Sequence, residues 1–532
     1  MNTALAMTLA FFVPFAAAQD PVIVISIDTL RADHLSCYGY QKIKTPNIDS
    51  FAGTLFTGVN SQIPLTLPSH TSLFTSTYPF ENGIEENAEI VPPGAATLAS
   101  ILRSHGYKTA AFVGSNILDR SRGLDQGFDD YDSPFSASRV RRDGALVIRA
   151  ASAWLAAHRN QPVFVFVHLF DLHAPYQLKP SQASNEPETA GYDAELEYVD
   201  QLLGRFRQSL ADNGWWEKSL VILLSDHGES LGDHGELSHG YFIYESTSHV
   251  PLIIHWPEAS PKLPERVTEP AGLIDVAPTI LDALHLPAPP SFDGISLLHN
   301  GPHAIYSESV YARDSFNWAA LRSLRVANWK YIEAPHPELY DLIKDPHEQS
   351  NLIRANPAQA AALRAELSRL MASHPRPQNS PSRDTSAATK KALGSLGYLA
   401  GGSRKPPSNV DPKDRLAEYQ MFDRALDAMY SQRLDAAIKG FREILILDKT
   451  NLPARDTLGD AYMRAGKPAY AVREWTAALA SDPHYAPAAQ ALAEYYISIK
   501  DWPKARAYLS QIPSPDPTIR QELELVDRNL RP

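Results

Sequence analysis

Nearly continuous apolar runs mark three strands in the first half of the chain. They cover residues 21–27 (PVIVISI), 163–169 (VFVFVHL) and 220–224 (LVILL). Such runs are typical of strands that are buried on both faces, as in a parallel sheet covered by helices. Stretches with a helical pattern lie between them, for example residues 95–105 and 143–158. The alternation predicts an α/β fold with a doubly wound, mostly parallel sheet, which we assign to residues 19–372.

A repeat with a period of 34 residues occupies the C-terminal part of the chain. Its equivalent positions are Ala437, Ala471 and Ala505, then Phe441, Trp475 and Leu509, and then Asp448, Asp482 and Asp516. This period and pattern are those of the tetratricopeptide (TPR) helix-turn-helix unit, and three copies are enough for a stable stack. An unrelated helical bundle is the alternative. We therefore predict an all-α TPR solenoid over residues 413–532, with a protein or peptide partner on its concave face.

Between these two regions, residues 373–412 are rich in Pro, Ser, Gly and basic residues. Composition of this kind favours a linker. We predict a linker over this range, with one short ordered piece at residues 392–399.

The N-terminus resembles a secretory signal peptide. Residues 4–18 form an apolar stretch that ends in Ala16, Ala17 and Ala18, but no Lys or Arg precedes it. A short membrane anchor or a buried helix is the alternative, although the stretch is shorter than a spanning helix and Pro14 interrupts it. The pattern predicts a signal peptide at residues 1–18 and a periplasmic or secreted protein.

Composition narrows the possible functions. The chain has 532 residues with 44% hydrophobic and 21% charged residues, which argues against wholesale disorder. The net charge is −12 and no basic run is present, so a nucleic-acid partner is not expected. Cys37 is the single cysteine, which excludes an internal disulfide. No later stretch reaches the length of a membrane span, and we predict none in the mature chain.

Acidic residues follow all three predicted strands. The first strand ends at Asp28, the second at Asp171 with His173 two residues further on, and the third at Asp226 followed by His227. Ligands of open α/β sheets bind at the carboxyl ends of the strands, so these side chains are expected to converge. Carboxylate and imidazole groups together suit a divalent cation such as Mg²⁺, Mn²⁺, Ca²⁺ or Zn²⁺. Taken singly, each Asp could instead be a helix N-cap or a loop residue.

Eight segments of the chain form a recognisable set in a fixed order. They are IDTLRADHLSCYGY (27–40), TPNIDSFA (45–52), PLTLPSHTSLFTSTYP (64–79), HGYKTAAFVG (105–114), FDLHAPY (170–176), SDHGESLGDHGELSHG (225–240), YESTSHVPLIIH (244–255) and LYDLIKDPHEQSNL (339–352). Through these segments the chain resembles the sulfatase-like branch of the alkaline phosphatase superfamily over most of residues 21–355. The resemblance implies that family's fold, while the substrate depends on the site.

The nucleophile position departs from that of ordinary sulfatases. The family motif C/S-x-P-S-R, whose first residue becomes formylglycine, corresponds here to Thr66-Leu67-Pro68-Ser69-His70. Threonine cannot become formylglycine because its β-carbon carries a methyl group, and Cys37 lacks the required motif. His70 replaces the motif Arg, and residues 114–117 (GSNI) stand where sulfatases carry G-K-W-H. These departures argue against a formylglycine mechanism.

Threonine nucleophiles occur in related phosphodiesterases, nucleotide pyrophosphatases and phosphoglycerol transferases. The resemblance implies Asp28, Asp226 and His227 as ligands of one or two divalent metal ions, with the Thr66 hydroxyl completing the shell. It also implies that Asn87, 21 residues after Thr66, contacts a phosphoryl oxygen. A turn residue is the alternative for Asn87.

Two histidines resemble substrate contacts of the family. His173, in D-x-H-x-P-Y, matches a leaving-group contact that could act as a general acid. His239 stands where sulfatases carry a substrate-contacting Lys, and could bind the anion or ligate a second metal ion. Asp171 could ligate metal or orient His173. The weaker candidates are His234 and His70.

These features favour an exported hydrolase that cleaves phosphodiesters or phosphonate esters through a phosphorylated Thr66. The substrate would be a small molecule or an ester of a glycan or lipid. A sulfatase that acts without formylglycine is the first alternative. A transferase is disfavoured because relatives of that type usually carry several membrane spans. A non-catalytic TPR scaffold with a vestigial hydrolase domain is the remaining alternative.

Overall fold

The computed structural model describes residues 20–531 except 137–138, 160, 177–186, 259–262, 300, 302, 378–380, 385, 400–407 and 513–516. The predicted signal peptide therefore lies outside the described residues. Among the helices that are described, none combines the length and the apolar character that crossing a membrane requires.

Thirteen strands are found in the described chain, in two sheets. They are β1 (Val22–Ile27), β2 (Thr54–Asn60), β3 (Lys108–Phe112), β4 (Asp130–Asp132), β5 (Val163–Leu169), β6 (Leu220–Leu224), β7 (His249–His255), β8 (Arg266–Val267), β9 (Ala271–Gly272), β10 (Ile305–Ser309), β11 (Leu321–Val326), β12 (Trp329–Glu333) and β13 (Glu338–Asp341).

Helices flank the sheets and form the C-terminal region. They are α1 (Pro46–Asp49), α2 (Thr66–Thr75), α3 (Pro79–Asn82), α4 (Leu98–Ser104), α5 (Gly144–Ala157), α6 (Pro187–Asp212), α7 (Glu245–Ser248), α8 (Val276–Ala283), α9 (Tyr311–Phe316), α10 (Pro357–Ser373), α11 (Ala387–Gly394), α12 (Leu416–Tyr430), α13 (Leu434–Leu447), α14 (Leu452–Arg464), α15 (Pro468–Ser481), α16 (Ala486–Ser498), α17 (Trp502–Leu509) and α18 (Pro517–Leu530).

The large sheet has the order β4-β3-β5-β1-β6-β7-β2-β8, with β9 beside β2. Its pairs are parallel except those of β7, which runs antiparallel to β6 and β2. The strands β10 to β13 form a second, antiparallel sheet. The predicted mostly parallel α/β sheet is thus confirmed.

Both faces of the central strand β1 are buried. Val22 and Val24 belong to the hydrophobic cluster on one face with Phe74 of α2, whereas Ile23 and Ile25 belong to the cluster that contains side chains of α5 and α6. Each such buried aliphatic side chain contributes about 1.5–3 kcal/mol relative to an exposed one. Burial on both faces explains why the sequence of this strand is apolar without alternation.

The predicted helices begin slightly later than the pattern suggested. In the range 95–105, α4 begins only at Leu98, because Thr97 accepts a hydrogen bond from the Ser100 backbone N–H and forms a capping box with it. In the range 143–158, Asp143 caps α5 by accepting from the N–H of Ala145 (2.7 Å). Polar capping side chains stop these helices from extending further.

The C-terminal helices pair as the 34-residue repeat predicts. The pairs are α12 with α13, α14 with α15, and α16 with α17. Ala437, Ala471 and Ala505 are all fully buried. A side chain on Gly459 would collide with the Trp475 ring, so these two repeat positions allow α14 and α15 to approach closely. A TPR-like helical array is confirmed.

The helical array packs directly on the α/β region. The rings of Tyr241 and Tyr419 stack with centroids 4.0 Å apart, and the Tyr241 hydroxyl donates to the Pro412 carbonyl (2.6 Å). Nearby, the Gln420 amide donates to the Gly235 carbonyl (2.6 Å). The array therefore rests on the loop that follows β6.

The range predicted as a linker contains ordered structure. Helix α11 begins after Ser386, whose side chain accepts from the Thr389 N–H (3.2 Å), so the short ordered piece starts earlier than the expected residues 392–399. Arg376 pairs with Glu85, and Arg383 pairs with Glu89, both at 2.9 Å. These contacts tie the range to the α/β region, which a simple spacer would not require.

Candidate active site

Thr66 and Asp28 come together at the carboxyl edge of the sheet. Asp28 directly follows β1, and its N–H continues the β1–β5 ladder by donating to the Leu169 carbonyl (2.9 Å). Thr66 is the first residue of α2, and its Oγ1 donates to Asp28 Oδ2 (3.2 Å). Both side chains are fully buried. The register of β1 and the start of α2 thus place the predicted nucleophile against the first predicted metal ligand.

Asp226 and His227 complete the cluster from the neighbouring strand. β6 pairs with β1 in parallel, so Asp226 ends beside Asp28. Ligand atoms of Asp28, Asp226 and His227 all lie within 4.8 Å of one another. The backbone N–H of Thr29 helps to hold the Asp226 carboxylate in place. Thr29 adopts a φ of 59°, and its N–H donates to Asp226 Oδ1 (3.3 Å). A β-branched residue rarely adopts that conformation, which marks local strain at the site.

The unpartnered atoms of this cluster fit a divalent cation. Asp28 Oδ1, Asp226 Oδ2 and His227 Nε2 are buried and make no hydrogen bond within the described chain. Burial raises the pKa of Asp28 to about 6, and burial together with the Asp28 charge raises the pKa of Asp226 to about 7. Burial lowers the pKa of His227 to about 4, which keeps its imidazole neutral and able to ligate. A buried carboxylate oxygen without a hydrogen-bond donor is costly unless a cation neutralises its charge.

Two further histidines contact residues of this cluster. His168 Nε2 lies 3.2 Å from Asp28 Oδ2. His70, one of the weaker candidates, contacts Ser26 Oγ through Nε2 (2.9 Å) and the Thr66 carbonyl through Nδ1 (2.7 Å). Because both ring nitrogens of His70 have partners, its contacts are those of a side chain that positions α2.

Asn87 lies beside the nucleophile with a free donor. Its Oδ1 accepts from the Leu67 N–H (3.0 Å), which fixes the orientation of the amide. Its Nδ2 is buried and makes no hydrogen bond within the described chain. A fixed, unpartnered amide donor next to Thr66 is suited to an oxygen of a bound anion.

His173 and His239 meet at the hydroxyl of a single tyrosine. Tyr398 Oη lies 2.9 Å from His173 Nε2 and 2.5 Å from His239 Nε2. Burial and the Asp28 charge raise the pKa of Tyr398 well above its usual value, so this hydroxyl stays neutral. On its other side, His239 Nδ1 faces Glu229 Oε1 (3.0 Å). The two predicted substrate contacts therefore point at one place next to Thr66.

Arg141 supplies a positive charge and is not among the site residues that the sequence predicts. Its guanidinium contacts His173 Nδ1 (3.1 Å) and the Ala174 carbonyl, and lies over the Phe170 ring at 5.2 Å. It also interacts electrostatically with Asp28. The basic residues of the sulfatase motifs are missing from the chain, and Arg141 places a cation near the same centre.

The remaining candidates lie outside this cluster. Asp171 accepts from the Gly144 N–H at the start of α5 (3.1 Å) and does not belong to the Asp28–Asp226–His227 group. His234 stacks on Tyr244 at 3.6 Å, and its Nε2 faces the His347 carbonyl (3.1 Å). Neither residue is part of the group of ligand atoms formed by Asp28, Asp226 and His227.

Among the missed residues, His168 leaves a trace in the sequence, whereas Tyr398 and Arg141 leave none. His168 is the single polar residue of the apolar run that forms β5. Tyr398 lies in the range predicted as a linker, within the piece at residues 392–399 that is predicted to be ordered, but nothing in the sequence links it to the site. Arg141 lies in a stretch without a recognised motif. Their places in the site follow from tertiary contacts.

Family comparisons agree with the geometry. The sequence model of the family described as "Sulfatase" matches residues 21–286, half of the chain. A model described as "N-sulphoglucosamine sulphohydrolase, C-terminal" matches residues 232–375. A "Tetratricopeptide repeat" model matches residues 463–522.

Arylsulfatase K of Bos taurus is 29% identical over 444 residues, covering 65% of this chain and 81% of that protein. The ulvan-active sulfatase of Formosa agariphila is 23% identical over 392 residues, covering 62% of this chain and 76% of that protein.

Among solved structures, the phosphonate monoester hydrolase of Agrobacterium radiobacter superposes with a TM-score of 0.57 at 21% identity, covering 67% of this chain and 96% of that chain. Ps i-CgsB, in complex with k-i-k-neocarrahexaose, gives 0.58 at 18% identity, covering 71% and 97%. The chain belongs to the sulfatase family, whose members are hydrolases of ester bonds, and it carries tetratricopeptide repeats after its α/β region.

Proposed function

We propose that this protein is an exported, metal-dependent hydrolase that cleaves phosphodiesters or phosphonate esters through Thr66. The observation that carries the proposal is the contact of Thr66 Oγ1 with Asp28 Oδ2 at 3.2 Å, beside three ligand atoms without hydrogen bonds in the described chain. A threonine cannot supply formylglycine, so the hydroxyl itself must attack. The solved phosphonate monoester hydrolase with the same fold supports this substrate class.

Asp28, Asp226 and His227 are the residues that would hold a divalent cation, with Thr66 at its edge. When bound, such a cation lowers the pKa of a hydroxyl and balances the charge of an anionic ester. The neutral state of the buried His227 and the two nearby carboxyl groups provide the donor set that this requires.

The chain's own residues account for the remaining chemistry. Thr66 Oγ1 forms a bond to phosphorus while the bond from phosphorus to the ester oxygen breaks, and the hydroxyl proton passes towards Asp28. The Asn87 amide donates to a non-bridging oxygen and stabilises its charge in the transition state. Water then hydrolyses the phosphothreonine, which restores the Thr66 hydroxyl and releases the acid product.

His173 is placed to protonate the leaving oxygen, with His239 beside it. Burial, His239 and Arg141 hold the pKa of His173 well below its usual 6.5 in the free protein. An anionic ester would supply the countercharge that lets the imidazole carry a proton. The same group can therefore act as a general acid only when substrate is bound.

A sulfate ester is the second candidate substrate. It is favoured by the similarity to arylsulfatase K and to the ulvan-active sulfatase. The same residues would act, with Thr66 attacking sulfur in place of phosphorus. Arg141 and Asn87 would contact the sulfate oxygens in this case.

A substrate panel separates the candidates. The purified full chain is assayed on bis(nitrophenyl) phosphate, nitrophenyl phenylphosphonate, nitrophenyl phosphate and nitrophenyl sulfate, with and without chelator. We expect diester or phosphonate turnover that is lost with chelator and with Thr66→Ala, while Thr71→Ala, on the same helix, remains active. Sulfate turnover that depends on Thr66 would favour the second candidate. Full activity of Thr66→Ala on any ester would exclude Thr66 as the nucleophile.

The domain boundaries and location belong to the same proposal. We assign residues 1–18 to the signal peptide, 19–372 to the hydrolase, 373–412 to the linker and 413–532 to the TPR array, which would bind a protein or peptide. Processing after Ala18 and recovery in the periplasmic or secreted fraction are the expected results when the precursor is expressed in bacteria. An intact N-terminus in the cytoplasmic fraction would contradict export.

A further inference from the structure

A segment that the sequence predicts as linker connects the active site to the helical array. We call residues 386–398 the bridging segment; it consists of α11 and the turn that ends at Tyr398. Leu393, Leu396 and Tyr398 are buried in the same hydrophobic cluster as α2. The segment is therefore packed as part of the molecule, and its two ends have different partners.

The C-terminal end of the bridging segment fills the active site. The Tyr398 hydroxyl contacts His173 and His239, which are the two predicted substrate contacts. With this ring in place, Thr66 is fully buried, and His173 and His239 are only 2% and 4% exposed. Within the described chain, these three residues are therefore almost completely shielded from solvent while Tyr398 keeps its position.

The N-terminal end of the bridging segment is held by the TPR array. Lys390 Nζ donates to Gln490 Oε1 of α16 (3.0 Å), and the Lys390 carbonyl accepts from the Tyr430 hydroxyl of α12 (3.3 Å). The Lys390 charge also interacts with Asp456 and Asp460 of α14. These partners lie on the first helices of three successive pairs, the face that TPR arrays use for binding.

The close fit of the bridging segment depends on a glycine. A Cβ atom on Gly394 would lie 1.9 Å from the Tyr430 hydroxyl, so a larger residue would push α11 away from α12. The array therefore binds this segment much as it would bind a peptide. Lys390 interacts with Asp456 and Asp460 of the array, and Gly394 leaves room for the Tyr430 ring.

We propose that the bridging segment is an intramolecular plug, in which Tyr398 occupies the place of the substrate's leaving oxygen and the TPR array holds it there. The proposal rests on the proposed function only in taking His173 as the leaving-group contact and His239 as a second substrate contact. The phenol of Tyr398 resembles the alcohol that ester cleavage releases. Its hydroxyl and the leaving oxygen of a substrate cannot occupy the same position at the same time. Substrate binding then requires the segment to withdraw, and a basic peptide partner that competes for Asp456 and Asp460 would open the site.

Thiol labelling tests the plug without any assumption about turnover. Thr66→Cys is made in a Cys37→Ala background, and its reaction with methyl methanethiosulfonate is compared with and without Tyr398→Ala. We expect Tyr398→Ala to speed labelling about tenfold or more, in proportion to the larger accessible fraction. Tyr470→Ala, an exposed tyrosine on α15, serves as the control and should leave the rate unchanged. Equal rates with and without Tyr398 would overturn the proposal.

Charge reversal at the anchor tests the role of the array. Lys390→Glu would repel Asp456 and Asp460, so labelling of the thiol introduced by Thr66→Cys should rise as it does for Tyr398→Ala. Lys391→Glu, an exposed neighbour on α11, is the matched control. Equal labelling rates of the Lys390→Glu and Lys391→Glu proteins would contradict the claim that the array holds the bridging segment through Lys390.

Activity assays then separate a plug from a catalytic tyrosine. On a small nitrophenyl ester, Tyr398→Ala should raise kcat/KM about tenfold if it releases a plug, in line with the open fraction. Lower kcat in both Tyr398→Phe and Tyr398→Ala would show that the hydroxyl takes part in the chemistry, which overturns the plug. If no variant hydrolyses any ester but labelling still rises, the plug stands and the proposed function fails.

Discussion

The Tyr398 hydroxyl lies 2.9 Å from Nε2 of His173, although 225 residues separate the two in the chain. The contact crosses from the range predicted as a linker to the loop after β5. Through α11, the same segment reaches α12 and α16 of the helical array. The candidate active site and the repeats are therefore physically connected through this segment.

Removal of the Asn87 amide should slow the chemical step more than it weakens binding. Asn87 Nδ2 has no partner in the described chain, so its hydrogen bond becomes available to the charged oxygens of the transition state. We predict that Asn87→Ala lowers kcat by about 10²–10³-fold, as the loss of one oxyanion donor does elsewhere. The measurement is steady-state kinetics on the best ester of the panel.

Asn82→Ala, which removes an amide bonded to Thr77 near the same loop, is the matched control and should retain kcat. A rise in KM alone for Asn87→Ala would mean that the amide acts only in ground-state binding.

Arg141 should contribute mainly to the binding of the anionic substrate. Its guanidinium contacts His173 and interacts electrostatically with Asp28, so it brings a positive charge to the proposed substrate site. We predict that Arg141→Gln raises KM about tenfold, the size expected for one charge-assisted hydrogen bond to an anion. Arg139→Gln, an exposed arginine close in sequence, should leave KM unchanged. A KM equal to that of the parent protein would exclude Arg141 as an anion contact.

The sequence predicts the parts of the site that lie at strand ends. Asp28 and Asp226 follow β1 and β6, and parallel strands with continuous apolar runs must bring their carboxyl ends together. Thr66 could be placed because the family motif marks the start of α2. For these residues, local pattern and topology determine position.

Tyr398 and Arg141 could not be predicted in this way. Their roles depend on side-chain contacts with residues far away in the chain, such as the contact of Arg141 with His173. The composition of the range 373–412 favours a linker with one ordered piece at residues 392–399, but it does not show that the buried Leu393 and Leu396 hold Tyr398 in the site. Composition reports local chain preference and carries no information on such packing.

A divalent cation should stabilise the folded protein. Binding to Asp28, Asp226 and His227 favours the native state because the unfolded chain lacks the site. We predict that Mn²⁺ or Zn²⁺ raises Tm after chelator treatment, and that Asp226→Asn abolishes this rise. Differential scanning fluorimetry with each ion gives the measurement.

Asp212→Asn, an exposed aspartate at the end of α6, is the control and should keep the full metal-dependent shift. An unchanged shift in Asp226→Asn would place the ion elsewhere in the protein.

Glu236 should make stability depend on pH at neutral values. Burial raises the pKa of this carboxyl to about 8 from its usual 4.5, although its oxygens accept from the N–H groups of Tyr241 and Phe242. The folded state therefore binds a proton that the unfolded state releases between these two pH values. This contribution to stability is fully present below about pH 4.5 and is lost as the pH rises to about 8.

We predict that Glu236→Gln, which mimics the protonated acid, makes the free energy of unfolding less dependent on pH across that window. Urea denaturation at pH 5, 6.5 and 8 measures the slope, with Glu269→Gln as an exposed control. The variant should gain stability relative to the parent protein as the pH rises, because the parent must ionise a buried carboxyl. Parallel curves for the two proteins would show that Glu236 ionises in the folded state at no cost, and that its two backbone donors outweigh its burial.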